Sequence, residues 1–143
     1  VSAVLNDGAM IRPKILKVSD TASEQVMCRE TADELRAMMC QTVKNGTVSR
    51  TFSKSRYDRV LKELTIGGKS GSINGVEPEG RRNWFMGFAE NPSTGESITI
   101  GCLVIRDRSH WPEAHDLAKN IIRHYFAEPT MVAENRSGSR SIR

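Results

Sequence analysis

The chain has no long hydrophobic run, few aromatic residues and few cysteines, and each shortage argues against a class of protein. No apolar stretch in the 143 residues approaches the roughly 20 residues that a transmembrane helix needs. Aromatic residues make up 6% of the chain and are not interleaved with its lysines and arginines, so an RNA-binding sheet is not indicated. The net charge is +4, but the basic residues are scattered among 17 acids, and we expect no nucleic-acid partner.

The cysteines and histidines lack the spacing of a metal site. Cys28, Cys40 and Cys102 include no Cys-x-x-Cys pair and lie in apolar segments, so we predict buried free thiols. His110 and His115 are five positions apart, a spacing that does not place both on one face of a helix at ligand distance. We therefore expect no metal and no cofactor.

The distribution of apolar residues predicts one α+β domain. Thr31 and Glu34 read as a capping box that opens a helix, and Gly46 ends that helix, whose methionines are predicted to pack in the core. Antiparallel strands are predicted at 64–72, 84–89 and 98–106, with a loop rich in glycine, proline and glutamate between the first two. A last helix at 112–126, with Pro112 in its first turn, is expected to lie across the sheet on an apolar stripe.

The remaining segments give weaker signals. Residues 1–5 resemble the end of a helix, 11–18 an extended edge segment and 56–62 a short helix. Beyond residue 128 the chain turns polar and rich in arginine and serine, so we predict a domain over 1–128 and a loose basic tail over 129–143. Because the chain begins without methionine inside what resembles a helix end, we expect it to be a piece of a longer protein.

The most informative segment is 67–72, which reads Gly-Gly-Lys-Ser-Gly-Ser. It follows an apolar run and lies at the predicted edge of the sheet. An ammonium group and a hydroxyl supply hydrogen-bond donors for a carboxylate, and glycine lets the backbone of a ligand come close.

A phosphate-binding P-loop also ends in Gly-Lys-Ser, but its other requirements are not met. Its first glycine would have to stand where this chain has Glu63. A helix would also have to begin at Lys69, and the residues that follow include Gly75, Pro78 and Gly80. Nucleotide binding is therefore rejected.

In this order and spacing, the elements resemble the C-terminal part of the transpeptidase domain of penicillin-binding proteins, over about residues 1 to 126. The resemblance is carried by the helix closing on Val43-Lys44-Asn45-Gly46-Thr47, by the Lys69-Ser70-Gly71-Ser72 strand, and by the Trp84-Phe85-Met86-Gly87-Phe88 strand. The third strand and the last helix complete the pattern. It implies an antiparallel sheet that continues with strands from a missing N-terminal part of the domain.

The resemblance also implies roles for four residues. Lys69 would direct positive potential at the terminal carboxylate of a peptidoglycan stem peptide ending in D-Ala-D-Ala, and Ser70 would donate a hydrogen bond to it. Gly71 would leave room for the ligand, and the backbone amide of Ser72 would form half of an oxyanion hole. β-Lactams would bind at the same place. The family implies anchoring at the extracytoplasmic face of the bacterial cytoplasmic membrane, by a segment absent from this chain.

One departure from the family pattern is serious. The family's nucleophile lies in a Ser-x-x-Lys motif, and no serine of this chain has a lysine three positions later. The Ser72-Ile73-Asn74 run fits the family's Ser-x-Asn motif by letter, but it follows the lysine strand instead of preceding it, so we treat it as coincidence. We expect a chain that is inactive alone and belongs to a serine-type D,D-transpeptidase. The alternative is a non-catalytic peptide-binding or interaction domain.

Overall fold

The computed structural model describes residues 1–13, 15, 22–77, 79–106 and 112–127. In chain order its elements are α1 (Ser2–Leu5), β1 (Ala9–Ile11), β2 (Ser23–Gln25), α2 (Arg29–Lys44), α3 (Ser49–Phe52), 3-10 turns at Ser53–Tyr57 and Leu61–Glu63, β3 (Thr65–Val76), β4 (Glu79–Glu90), β5 (Ser97–Arg106) and α4 (Ala114–Ala127). No helix among these residues is long and apolar enough to span a membrane. The predicted tail at 129–143 lies outside the described residues.

The main sheet has three antiparallel strands in the order β3-β4-β5, which confirms the predicted α+β fold. Because side chains alternate along each strand, the register gives the sheet two distinct faces. The core face carries Ile66, Phe85, Ala89 and Cys102, which pack with α4 in one buried cluster. Phe52 of α3 stacks on Phe85, with 6.1 Å between the ring centroids.

The opposite face, which we call the open face, is covered only in part. The Arg36 side chain of α2 lies over the ring of Phe88 and pairs with Glu90 at the end of β4. Farther along the strands, large apolar side chains of this face stay exposed: Ile73, Trp84, Met86, Leu103 and Ile105. Such a contiguous apolar surface is a typical interaction site.

The predicted loop between the first two strands is wrong, because β3 continues to Val76 and β4 already begins at Glu79. Cross-strand pairing overrides the glycine-rich composition. The Arg82 guanidinium lies where a Cβ at Gly75 would be, and it donates a hydrogen bond to the Glu77 carbonyl at 2.6 Å. Gly80 has φ of +141° and faces the Arg106 carbonyl so closely that a Cβ would lie 2.5 Å from that oxygen.

The predicted starts of two helices are also wrong. Helix α2 begins two residues before Thr31, with Cys28 at its N-cap, and the Thr31 hydroxyl bonds to the Cys28 sulfur at 3.2 Å instead of capping the helix. Pro112 lies before α4, not in its first turn; the Glu113 carbonyl accepts the N–H of Leu117.

The predicted helix at 56–62 is wrong as well, since two 3-10 turns occupy that region. The Asp58 carboxylate accepts the N–H groups of Val60 and Leu61 at 2.9 and 3.1 Å, and these local bonds compete with a continuous helix. Of the predicted extended segment at 11–18, Ile11 ends β1, and residues 14 and 16–18 lie outside the described residues.

Burial differs from the predictions at several side chains. Cys28 is exposed and Cys40 half-buried, so only Cys102 is a buried thiol. Met38 is 60% exposed, because it points away from the packed side of α2. The predicted apolar stripe of α4 divides into a buried row (Ala114, Ala118, Ile122) and an exposed row (Leu117, Ile121, Tyr125).

Candidate active site

All four predicted site residues lie on β3, which is an outer strand of the described sheet. No described strand pairs with the other side of β3, so that edge offers backbone donors and acceptors to a ligand. Lys69, Gly71 and Ser72 are exposed, and Ser70 is half-buried. The site is therefore an open edge and can pair with an extended peptide.

The glycines at the start of β3 are explained by packing. A Cβ at Gly67 would lie 2.5 Å from the ring of Phe88 and 3.2 Å from the backbone nitrogen of Cys40 in α2. A Cβ at Gly68 would overlap the ring of Phe85, which is fully buried. These two glycines let rings and a helix backbone lie directly on the strand.

Gly71 has no such explanation within the described chain. A Cβ there would meet only the Cβ of Trp84, at an ordinary distance of 3.8 Å. Its φ is not in the positive region that favours glycine. Because neither packing nor backbone conformation requires a glycine here, the open space above Gly71 is available to a ligand.

Lys69 and Ser70 project from opposite faces of β3, as the register requires. Lys69 pairs with Met86 on the open face, and Ser70 pairs with Phe85 on the core face. Two such side chains can reach one ligand only along the free edge. The Lys69 ammonium bends toward its own strand and donates to the Ser70 carbonyl at 2.7 Å, which holds the positive charge beside Ser70.

The Ser70 hydroxyl has a partner that sequence reasoning missed. The Thr47 Oγ1 lies 2.8 Å from the Ser70 Oγ, so the two hydroxyls share a hydrogen bond. Thr47 follows the end of α2 and is exposed. The segment ending at Thr47 formed part of the family resemblance, but nothing in its sequence gives the threonine a role, because the contact depends on how α2 lies against β3.

The second missed residue is Asn83, which faces Ser72 across the hairpin. Its side-chain nitrogen donates to the Ser72 Oγ at 3.1 Å, and the residue is 2% exposed. The available signal was a polar residue in a strand whose next residues, Trp84 and Phe85, are large and apolar. That pattern marks a buried polar group but does not identify its partner.

The described residues offer no metal centre, and burial makes two of their three cysteines poor nucleophiles. They contain no group of three or more histidine, cysteine or acidic side chains that could hold a metal ion. Burial raises the pKa of the Cys102 thiol, and burial also raises the pKa of the Cys40 thiol. Both thiols are therefore protonated at neutral pH and are poor nucleophiles.

Comparison with protein families gives one match that covers most of the chain. The model described as penicillin binding protein transpeptidase domain matches residues 1–122. It confirms the resemblance inferred from the sequence and includes α1 through most of α4. A search of curated proteins finds no match for the chain.

Proposed function

The chain belongs to the penicillin-binding-protein transpeptidase family, and from this we propose that it is the C-terminal portion of a peptidoglycan D,D-transpeptidase domain. The observation that carries the proposal is the Lys69-Ser70-Gly71-Ser72 segment on the free edge of β3. A charged group, a hydroxyl and an open glycine adjoin unpaired backbone there. This combination suits a peptide that ends in a carboxylate.

The ligand would lie antiparallel to β3 and pair with its free edge. Its terminal carboxylate would take the place that the Ser70 carbonyl now has beside the Lys69 ammonium, and it would accept a hydrogen bond from the Ser70 hydroxyl. The Thr47 hydroxyl shares a hydrogen bond with the Ser70 hydroxyl, so it can orient Ser70 when the ligand arrives. Gly71 would leave space for the ligand backbone.

The chemistry would be acyl transfer through a serine outside this chain. That serine would attack the carbonyl of the penultimate D-Ala and release the last D-Ala, and an amine of a neighbouring stem peptide would then take the acyl group. The Ser72 amide would donate to the oxyanion that forms in each step. One such donor typically contributes about 100- to 1,000-fold in rate.

The open face is the surface on which the rest of the domain would pack. It adjoins Lys69 and exposes Trp84 and Met86 at 45% and 55%. We propose that the nucleophile-bearing N-terminal part of the domain covers this face, which brings its serine to the same edge of β3. In keeping with the family, we also propose anchoring at the extracytoplasmic face of the cytoplasmic membrane.

One observation favours a second candidate, a non-catalytic peptide-binding domain. No serine in the 143 residues has a lysine three positions later, although the lysine strand is intact. Such a domain would bind the same peptides through β3 without forming a covalent adduct.

Labelling of the full-length protein with a fluorescent penicillin separates the two. The transpeptidase proposal predicts a stable adduct, which peptide mapping places on a serine outside the 143 residues. A folded protein that binds D-Ala-D-Ala peptides but gives no adduct would support the second candidate. An adduct on a residue within the 143 would contradict the assignment of the nucleophile.

A further inference from the structure

Asn83 is the one buried polar residue in the described part of the chain, and it lies in the central strand β4 on the core face. On that face Phe85, two residues along the strand, is fully buried. The register partners of Asn83 are Ser72 on β3 and Val104 on β5. An asparagine is thus buried directly behind the last residue of the proposed site.

The hydrogen bonds of Asn83 are incomplete. Its amide nitrogen donates to the Ser72 Oγ at 3.1 Å, whereas its Oδ1 is buried and has no hydrogen-bond partner among the residues that the structure describes. A buried carbonyl oxygen without a donor costs stability, and an apolar residue of the same size would avoid that cost. Stability therefore does not account for an asparagine at this position.

The bond does have a consequence for Ser72. Because the Ser72 oxygen accepts from Asn83, its single hydroxyl hydrogen is left to donate elsewhere. Ser72 is exposed, so that hydrogen can reach solvent or a ligand. The bond also ties the exposed end of the site to the buried centre of the sheet.

We propose that Asn83 is a positioning residue for the reaction: it fixes the orientation of Ser72 and so the alignment of the strand segment whose amide stabilises the oxyanion. This rests on the proposed transpeptidase function. Small displacements of such a group are costly, since a shift of about 1 Å can lower a rate about 100-fold.

The test uses the full-length protein and compares Asn83→Leu, Ser72→Ala and the double variant. For each, the second-order rate of acylation by labelled penicillin and the melting temperature are measured. Asn83→Leu should melt at the same or a higher temperature and acylate about tenfold more slowly. Both substitutions remove the same hydrogen bond, between Asn83 and Ser72. The double variant should therefore acylate little more slowly than either single variant.

Two further variants act as controls. Asn74→Leu makes the same change at an exposed position of β3 and should leave the rate unchanged. Ser72→Thr keeps the hydroxyl and should retain most of the rate. If Asn83→Leu fails to fold, Ser72→Ala still removes the same hydrogen bond from its exposed partner. The acylation rate of that variant then tests the proposal.

Three results would overturn the proposal: wild-type acylation in folded Asn83→Leu, independent losses that multiply in the double variant, or wild-type acylation in Ser72→Ala. A loss of melting temperature in Asn83→Leu with an unchanged rate per folded molecule would give Asn83 a purely structural role. Absence of labelling in the wild-type protein would refute the transpeptidase function itself, which is a distinguishable failure.

Discussion

In the first half of β3, Gly67 and Gly68 lie under the rings of Phe88 and Phe85, whereas in the second half Gly71 faces open space. Residues 66–68 are buried between a helix and the core, whereas residues 71–74 are exposed, at an edge that pairs with no described strand. One strand therefore contains glycines required by packing and a glycine that packing does not require.

This difference separates residues that hold the fold from residues available for function. Gly68 contacts the same Phe85 ring on which Phe52 stacks, so its absence of a side chain serves the core. Lys69 and Ser72 have no comparable burial, and their neighbours Ser70 and Gly71 lie between them on the edge. Substitutions at residues 66–68 and at residues 69–72 should therefore affect different measurements.

The largest effect is expected for Lys69→Ala, which removes the charge held beside Ser70. Acylation of the full-length protein by labelled penicillin should slow by about 100- to 1,000-fold, while the melting temperature stays close to that of the wild type. Arg81→Ala is the control, since it removes the same charge from an exposed position on the other face of the hairpin. Equal rates for the two variants would count against the site.

Gly68→Ala should act in the opposite way. The added methyl group meets the buried Phe85 ring, and overpacking of this kind costs about 1–3 kcal/mol of unfolding free energy. Chemical denaturation measures this loss. Gly101→Ala, in the same sheet, is the matched control, because a Cβ there has no atom within 4 Å and should cost little. Similar losses in both would refute the packing argument.

A smaller effect is expected at Thr47, which follows α2 and contacts the site residue Ser70. Thr47→Val removes the hydroxyl that bonds to Ser70 and keeps the shape of the side chain, so acylation should slow by about tenfold, or about 1.4 kcal/mol. Thr47→Ser retains the hydroxyl and should keep most of the rate. Stopped-flow acylation measurements compare the two, and an unchanged rate in the valine variant would exclude a role for Thr47.

The smallest effect concerns a carboxylate outside β3. Backbone N–H bonds, from Leu61 first and Val60 next, together with Arg123, hold the pKa of Asp58 below its usual value of 3.8. A lowered pKa in the folded state stabilises the protein above pH 3.8, and that stability is lost as the pH falls through the lower, folded-state pKa.

Asp58→Asn should therefore reduce the unfolding free energy by about 1 kcal/mol at pH 7 and by less at pH 3. Denaturation curves at the two pH values test this, with acylation per folded molecule as the control that should not change. A deficit that stays constant with pH would show that the charge of Asp58 is not responsible.

The sheet was predictable because its strands are runs of apolar residues such as those around Phe85 and Ile100. The extension of the hairpin was not predictable, because Gly75 and Gly80 disfavour a strand locally and are tolerated only through contacts with Arg82 and Arg106. The start of α2 was missed for a similar reason, because it depends on a contact that the local pattern does not show. The Thr31 hydroxyl bonds to the Cys28 sulfur instead of capping the helix.

The candidate site was predictable in the part that is contiguous in sequence. Lys69 and its neighbours follow one another along β3, so a local motif identified them. Thr47 and Asn83 reach the site from α2 and β4, and their hydrogen bonds depend on packing and register that no local pattern specifies. The division of the glycines into two kinds likewise required the positions of the Phe85 and Phe88 rings.

The most direct test of the account is Gly71→Ala in the full-length protein, with its melting temperature and its acylation by labelled penicillin measured on the same sample. Among the described residues only the Trp84 Cβ, at 3.8 Å, would meet the new methyl group, and the space above it is proposed to be kept for the ligand, so we predict an unchanged melting temperature. Because the ligand is proposed to lie over this position, acylation should slow at least about tenfold. Acylation at the wild-type rate, or a loss of stability as large as that of Gly68→Ala, would contradict the account.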